Sequence, residues 1–156
     1  MTASVPDLLA ALQGIARSGR LGQPVFLRCQ VTAPPERAVT FLAEALAAAA
    51  ALFEDTPDTL QAAGDKAAGA LHAALIFRSG STVLAYAAPG EEAVDVMLLG
   101  NHGTAYGPGG PISLHRRTAG VLTAGEGGET ADQFIGLIQR SLAARQPVQW
   151  ETERDV

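Results

Sequence analysis

Between Leu71 and Gly100 the sequence alternates with a period of two, and that period restricts the segment to β-structure. Leu71, Ala73, Leu75 and Phe77 form one side, and His72, Ala74, Ile76 and Arg78 the other. Val94, Val96 and Leu98 likewise oppose Asp95, Met97 and Leu99. Ser79-Gly80 and Pro89-Gly90 divide the segment, so the expected arrangement is three short strands in an antiparallel meander. The second face carries more apolar side chains than a solvated face needs. A partly buried second face is expected, of the kind that marks a protein interface.

The remaining elements follow from local patterns. Val5, Leu8, Leu9, Leu12 and Ile15 have helical spacing, and Ser18-Gly19 should end that helix. Val25, Leu27, Cys29 and Val31 alternate with Phe26, Arg28, Gln30 and Thr32, which predicts a strand over 25–32 with Cys29 in the core. After Pro34-Pro35, a helix is expected over about 36–53, with Val39, Leu42, Leu46 and Phe53 on one stripe. Its alanine run, Ala47 to Ala51, favours helix and allows close approach to a neighbour. Asn101-His102-Gly103 reads as a turn, and Gly107 to Pro111 as a loop. Weak strands are expected at 112–114 and 119–123. A last amphipathic helix should begin near Thr130, with Gln133 completing a capping box, and carry Phe134, Ile135, Ile138 and Leu142. One α+β domain over 1–150 is expected, followed by a polar tail over 151–156.

Composition excludes several partners. Of 156 residues, 17% are charged, and the net charge of −5 provides no electrostatic grip on nucleic acid or an anionic membrane. The longest apolar stretch, Ala45 to Phe53, is far shorter than the roughly 20 residues a bilayer requires. Cys29 is the only cysteine, so no intramolecular disulfide can form, and without signal-peptide features a cytoplasmic location is expected.

The chemistry-bearing residues do not assemble into a known pattern. Gly125-Glu126-Gly127-Gly128 precedes a helix, where backbone N–H groups attract phosphate, but the third glycine of Gly-x-Gly-x-x-Gly would fall on Thr130, and Glu126 and Glu129 would repel the anion. His72, His102 and His115 have no metal-ligand spacing, so no metal is expected. No Gly-x-Ser-x-Gly elbow occurs, and Cys29 lacks an activating neighbour. Arg116-Arg117, Lys66, Glu54-Asp55 and Glu91-Glu92 read as solvated groups at loops and element ends.

Read in order, these pieces resemble the C-terminal domain of Gfo/Idh/MocA-family oxidoreductases. Ile15 through Ser18-Gly19-Arg20-Leu21-Gly22 to Arg28 is similar to the family's helix, its Ser-Gly-x-Leu-Gly turn and its first strand. Leu75-Ile76-Phe77-Arg78-Ser79-Gly80 and Asp95 through Gly100-Asn101-His102-Gly103-Thr104 resemble its sheet, and Phe134 to Pro147 resembles its closing helix. The resemblance implies an open, mostly antiparallel sheet with helices on one face and the other face available for subunit association. It also implies that the family's Rossmann domain, with its Glu-Lys-Pro motif, has no counterpart in this sequence.

The family places an Asp-x-x-x-His pair on the second helix, where its histidine can act as acid or base. Those positions correspond to Thr40 and Glu44 here, and neither is the family's residue. The resemblance therefore implies a non-catalytic binding or assembly domain with no cofactor of its own, forming a homodimer through its sheet. The alternative is one subunit of a split oxidoreductase, binding NAD(P) only with a separate Rossmann-domain chain. In either case Thr40, Glu44, His72 and His102 are the candidates for a vestigial cleft.

Overall fold

A computed structural model describes residues 12–19, 21–91, 93–107 and 129–150. Residues 12–17 are helical (α1) and stop at Ser18-Gly19, as the turn chemistry predicts. The sheet contains β1 (Pro24–Ala33), β2 (Pro57–Asp65), β3 (Ala70–Phe77), β4 (Thr82–Pro89), β5 (Ala93–Gly100), β6 (Thr104–Gly107) and β7 (Val148–Gln149), with α2 (Ala38–Phe53) and α3 (Glu129–Ala144). The expected weak strands at 112–114 and 119–123, the Gly-rich loops and the tail lie outside the described residues.

The strand order is β6-β5-β1-β4-β3-β2-β7. Only β1 and β4 run parallel; every other neighbouring pair is antiparallel. This corrects the expected meander. β3 and β4 form a hairpin, but β1 lies between β4 and β5 and pairs with both along its length. The turn at Pro89-Gly90 therefore crosses over the end of β1. A central position suits β1, since Leu27, Cys29, Val31 and Ala33 are all buried. Val25, expected on that same face, is exposed, because an irregularity between Pro24 and Phe26 breaks the alternation.

One face of the sheet carries the core. Leu27, Cys29, Val31, Leu60, Ala62, Leu71, Ala73, Leu75, Phe77, Val83, Ala85, Val94, Val96 and Leu98 form a single buried cluster with residues of α1, α2 and α3. Burying each leucine there stabilises the fold by roughly 1.5–3 kcal/mol. α2 crosses β1, β4 and β3, and its buried Ala38, Ala43, Ala45 and Ala49 give little bulk at the contact. It ends on Glu54, in the left-handed conformation, with Phe53 stacked on Phe77 at 5.1 Å between ring centres. The next residue, Asp55, ties this corner together. Its carboxylate accepts the Thr56 N–H at 2.7 Å and the Ser79 N–H at 3.2 Å. Hydrogen bonding from the Ser79 side chain first, then from those backbone groups and the charge of Arg78, holds the Asp55 carboxyl below its ordinary value.

β2, β6 and β7 are not expected from the sequence. β2 is held on one side by β3, while β7 covers only Thr59 and Leu60 on the other. α3 completes that edge. Ser141, fully buried, accepts the Ala62 N–H at 2.9 Å and donates to the Gln146 carbonyl at 2.8 Å. Ser141→Ala leaves a buried strand N–H without its acceptor, and should cost about 1–3 kcal/mol in urea unfolding. An unchanged midpoint would show that the edge does not depend on this hydroxyl.

Two glycine-containing turns lock together beside the start of β1. Asn101 donates its backbone N–H to the Gln23 carbonyl at 3.1 Å, and its side-chain oxygen accepts the Gln23 N–H at 2.9 Å. The His102 N–H reaches the Leu21 carbonyl at 2.9 Å. Gly22, at φ +68°, leaves room for Asn101 and the His102 ring, where a Cβ would collide with both.

Candidate functional site

With α2 and α3 on one face, the other face of the sheet has no described element over it. Its rows follow from the strand register. Leu99, Phe26, Thr82 and Ile76 lie side by side across β5, β1, β4 and β3. The next row is Met97, Arg28, Leu84 and Ala74, and the one after it Asp95, Gln30, Tyr86 and His72. Ile76, Tyr86 and Leu99 are 42%, 38% and 38% exposed, three of the four large apolar residues so exposed among those described. The greasy second face read from the alternation is thus a continuous surface.

Polar groups interrupt it near the middle. Arg28 and Asp95 lie diagonally across β1 and β5, with nitrogen and oxygen 4.0 Å apart and both side chains partly exposed. The His72 and Tyr86 rings face each other across β3 and β4 at 6.2 Å. Arg28, Gln30, His72 and Tyr86 border a shallow hollow of about 460 Å³, created where small Ala70 and Ala88 sit beside large neighbours. Sequence reasoning placed Arg28, Gln30, His72 and Asp95 by parity but, although it expected a strand where β4 lies, did not assign that strand's faces, so Tyr86 was missed. The alternation Val83, Ala85, Ala87 against Leu84, Tyr86, Ala88 is the signal that marks it.

The four candidate cleft residues do not meet. α2 sets Thr40 and Glu44 one turn apart, the first exposed and the second 7% exposed, in the helix layer. His72 lies on the opposite face of the sheet. His102, exposed, sits at the end where β1 starts, whereas Thr40 is in the first turn of α2, which follows the end where β1 stops. A cleft built from all four therefore does not form. Cys29 is in the core as expected, and burial, with a smaller effect from Asp95, pushes its thiol up to about 12. It stays a neutral thiol at physiological pH.

Among the described residues no group of three or more His, Cys, Asp or Glu side chains could hold a metal ion, and no helix is long and apolar enough to cross a membrane. The start of the helical segment that follows β1 is a poor phosphate cradle. The junction from β1 into α2 is Ala33-Pro34-Pro35-Glu36, where two prolines lack N–H donors and a carboxylate follows.

No protein-family model matches the sequence, and no curated protein matches it. Solved structures do. Myo-inositol dehydrogenase from Lactobacillus casei, in complex with NAD(H) and myo-inositol, superposes with a TM-score of 0.68 at 15% identity, over 96% of this chain and 60% of that one. Scyllo-inositol dehydrogenase from the same organism gives 0.67 at 12%, over 92% and 60%. Myo-inositol dehydrogenase from Corynebacterium glutamicum gives 0.66 at 10%, over 95% and 62%. The chain thus spans about 60% of the length of these dehydrogenases. At such identities the likeness is one of fold, and that fold is the one expected from the turn and strand motifs, the α+β architecture of the Gfo/Idh/MocA C-terminal domain.

Proposed function

We propose that this domain is a non-catalytic binding and assembly module that associates through the open face of its sheet. The observation that carries this reading is the set of exposed Ile76, Tyr86 and Leu99 on a sheet whose opposite face packs against the chain's own helices. The loss of the family's acid-base pair supports it, because Thr40 and Glu44 stand at those positions and lie away from both histidines. Light scattering after size-exclusion chromatography tests the reading. An assembled species is expected at micromolar concentration, and Ile76→Arg should weaken association at least about tenfold with its far-UV spectrum unchanged. A strict monomer at high concentration, with no partner in pull-downs, would overturn the proposal.

A second reading rests on the shared fold. The domain shares its fold with dehydrogenases, one of them solved with NAD(H) and myo-inositol, and can also be one component of a split NAD(P)-dependent oxidoreductase whose dinucleotide is held by a separate Rossmann-domain chain. Absence of NAD(P)-linked turnover over inositols, sugars and polyols after mixing with such a chain would remove it.

A further inference from the structure

We infer that the hollow on the open face of the sheet is a binding site for a small aromatic carboxylate, whose carboxylate pairs with Arg28 and whose ring carries a hydroxyl towards Gln30, Tyr86 and His72. The inference goes beyond the assembly reading and does not depend on it.

The hydrogen-bonding groups are the first argument. Gln30, Tyr86 and His72 lie side by side on β1, β4 and β3, and Arg28 stands two residues before Gln30 on the same face. All four border the one hollow of about 460 Å³, a volume within the range of small-molecule sites. The Arg28 guanidinium lies 4.0 Å from the Asp95 carboxylate, close enough for an ion pair and too far for a hydrogen bond. Among the described residues none of the four side chains has a hydrogen-bond partner. Four groups with donors to spare therefore converge on one concave place in a mostly apolar face.

Charge and shape select the ligand. Arg28 is the only charged residue lining the hollow, and the planar fork of a guanidinium matches a carboxylate bidentately. A phosphate dianion suits the place less. The lining residues all lie on strands, with no helix N-terminus and no second cation among them, and the net charge of −5 opposes a doubly charged anion more than a singly charged one. Ala70 and Ala88 leave a low apolar surface beside the Tyr86 and His72 rings, whose centres are 6.2 Å apart. That surface favours a flat ring over a flexible chain, which loses more rotational freedom on binding. Two residues along a strand span about 7 Å, so a ligand anchored at Arg28 meets the row of Gln30, Tyr86 and His72 about that far from its carboxylate. A benzene ring with a para hydroxyl has this reach, and its hydroxyl can both donate to and accept from the Gln30 amide.

Titration with para-hydroxybenzoate tests the site. Thermophoresis of the labelled wild-type chain at nanomolar concentration, below the micromolar range in which assembly is expected, should show saturable binding at submillimolar ligand. Arg28→Gln should weaken it at least about tenfold, and Arg28→Lys by less, because an ammonium keeps the charge and loses the fork. Asp95→Asn should tighten binding about threefold, since the ligand then no longer competes with a neighbouring carboxylate for Arg28. Tyr86→Ala should weaken it about fivefold through the lost ring contact. Para-hydroxybenzamide has the same shape without the charge, and should bind at least about tenfold more weakly than the acid. Circular dichroism of each variant separates misfolding from lost binding, and the amide comparison needs no variant at all. Absence of saturable binding to the wild type overturns the inference, as does equal binding of the acid to Arg28→Gln, equal binding of the amide to the wild type, or weaker binding to Asp95→Asn. Light scattering reads the oligomeric state independently of these titrations, so the assembly reading stands or falls separately.

Discussion

Gly100→Ala should destabilise the domain by on the order of 3 kcal/mol or more, seen as a large drop in the urea midpoint. The cause is a backbone collision. A Cβ at Gly100 falls on the Leu21 carbonyl oxygen, well inside contact distance, and also crowds that residue's carbonyl carbon and side chain. The Leu21 carbonyl cannot turn aside, because it accepts the His102 N–H at 2.9 Å, while the neighbouring Gln23 and Asn101 exchange two further hydrogen bonds. Gly100 itself donates to the Gly103 carbonyl at 2.8 Å, so moving it opens the turn between β5 and β6 as well. Gly136→Ala in α3 is the control, since nothing lies within 4 Å of its added carbon and helical alanine is favoured by about 0.5–1 kcal/mol. Equal midpoints for the two variants would show that the turns are not rigidly locked.

The same contact explains why the family resemblance was readable at such low identity. The Ser18-Gly19-Arg20-Leu21-Gly22 and Gly100-Asn101-His102-Gly103 segments lie far apart in sequence, yet each needs its glycine because the other packs against it. Steric necessity of this kind leaves a local mark. Strand faces were readable for a similar reason: in β3 and β5 every second residue enters the core, and the period is strict.

Where structure depends on distant pairing, the sequence was silent or misleading. β2 buries only Pro57, Leu60 and Ala62, and apart from Thr59 its other residues are Asp, Gln, Ala and Gly, which have weak strand preference. Its extended state is imposed by β3, β7 and the Ser141 hydroxyl. The Pro89-Gly90 turn looked like a hairpin connection, and nothing local reveals that β1 inserts between the strands it joins. The placement of the four candidate cleft residues was hidden for the same reason. Spacing sets Thr40 and Glu44 on one helix, but whether His72 faces that helix is decided by which side of the sheet it occupies. Tyr86, Arg28 and Asp95 became neighbours only once the strand order was known.

Phe134→Ala is the second large effect, expected at about 3–5 kcal/mol. Phe134 and Ile138 are fully buried on α3, between α2 and β2, so truncation leaves a cavity where the helix layer meets the sheet. Phe134 also holds the segment that follows α3. Its ring lies 5.0 Å from that of Trp150, and the Trp150 N–H donates to the Asp58 carbonyl at 2.8 Å, just beyond the two residues of β7 that pair with β2. Losing the phenyl ring should therefore loosen the covering of the β2 edge as well as the core. Trp150 is the only tryptophan, so native-state emission should shift to the red in Phe134→Ala before any global unfolding. A double-mutant cycle with Trp150→Ala isolates the pair, and a coupling of about 0.5–1.5 kcal/mol is expected for a tilted aromatic contact. Additive losses with unchanged emission would mean that α3 and β7 are anchored independently. In that case the tie between α3 and the β2 edge would run through the Ser141 hydrogen bonds, and Ser141→Ala would loosen β7 without help from Phe134.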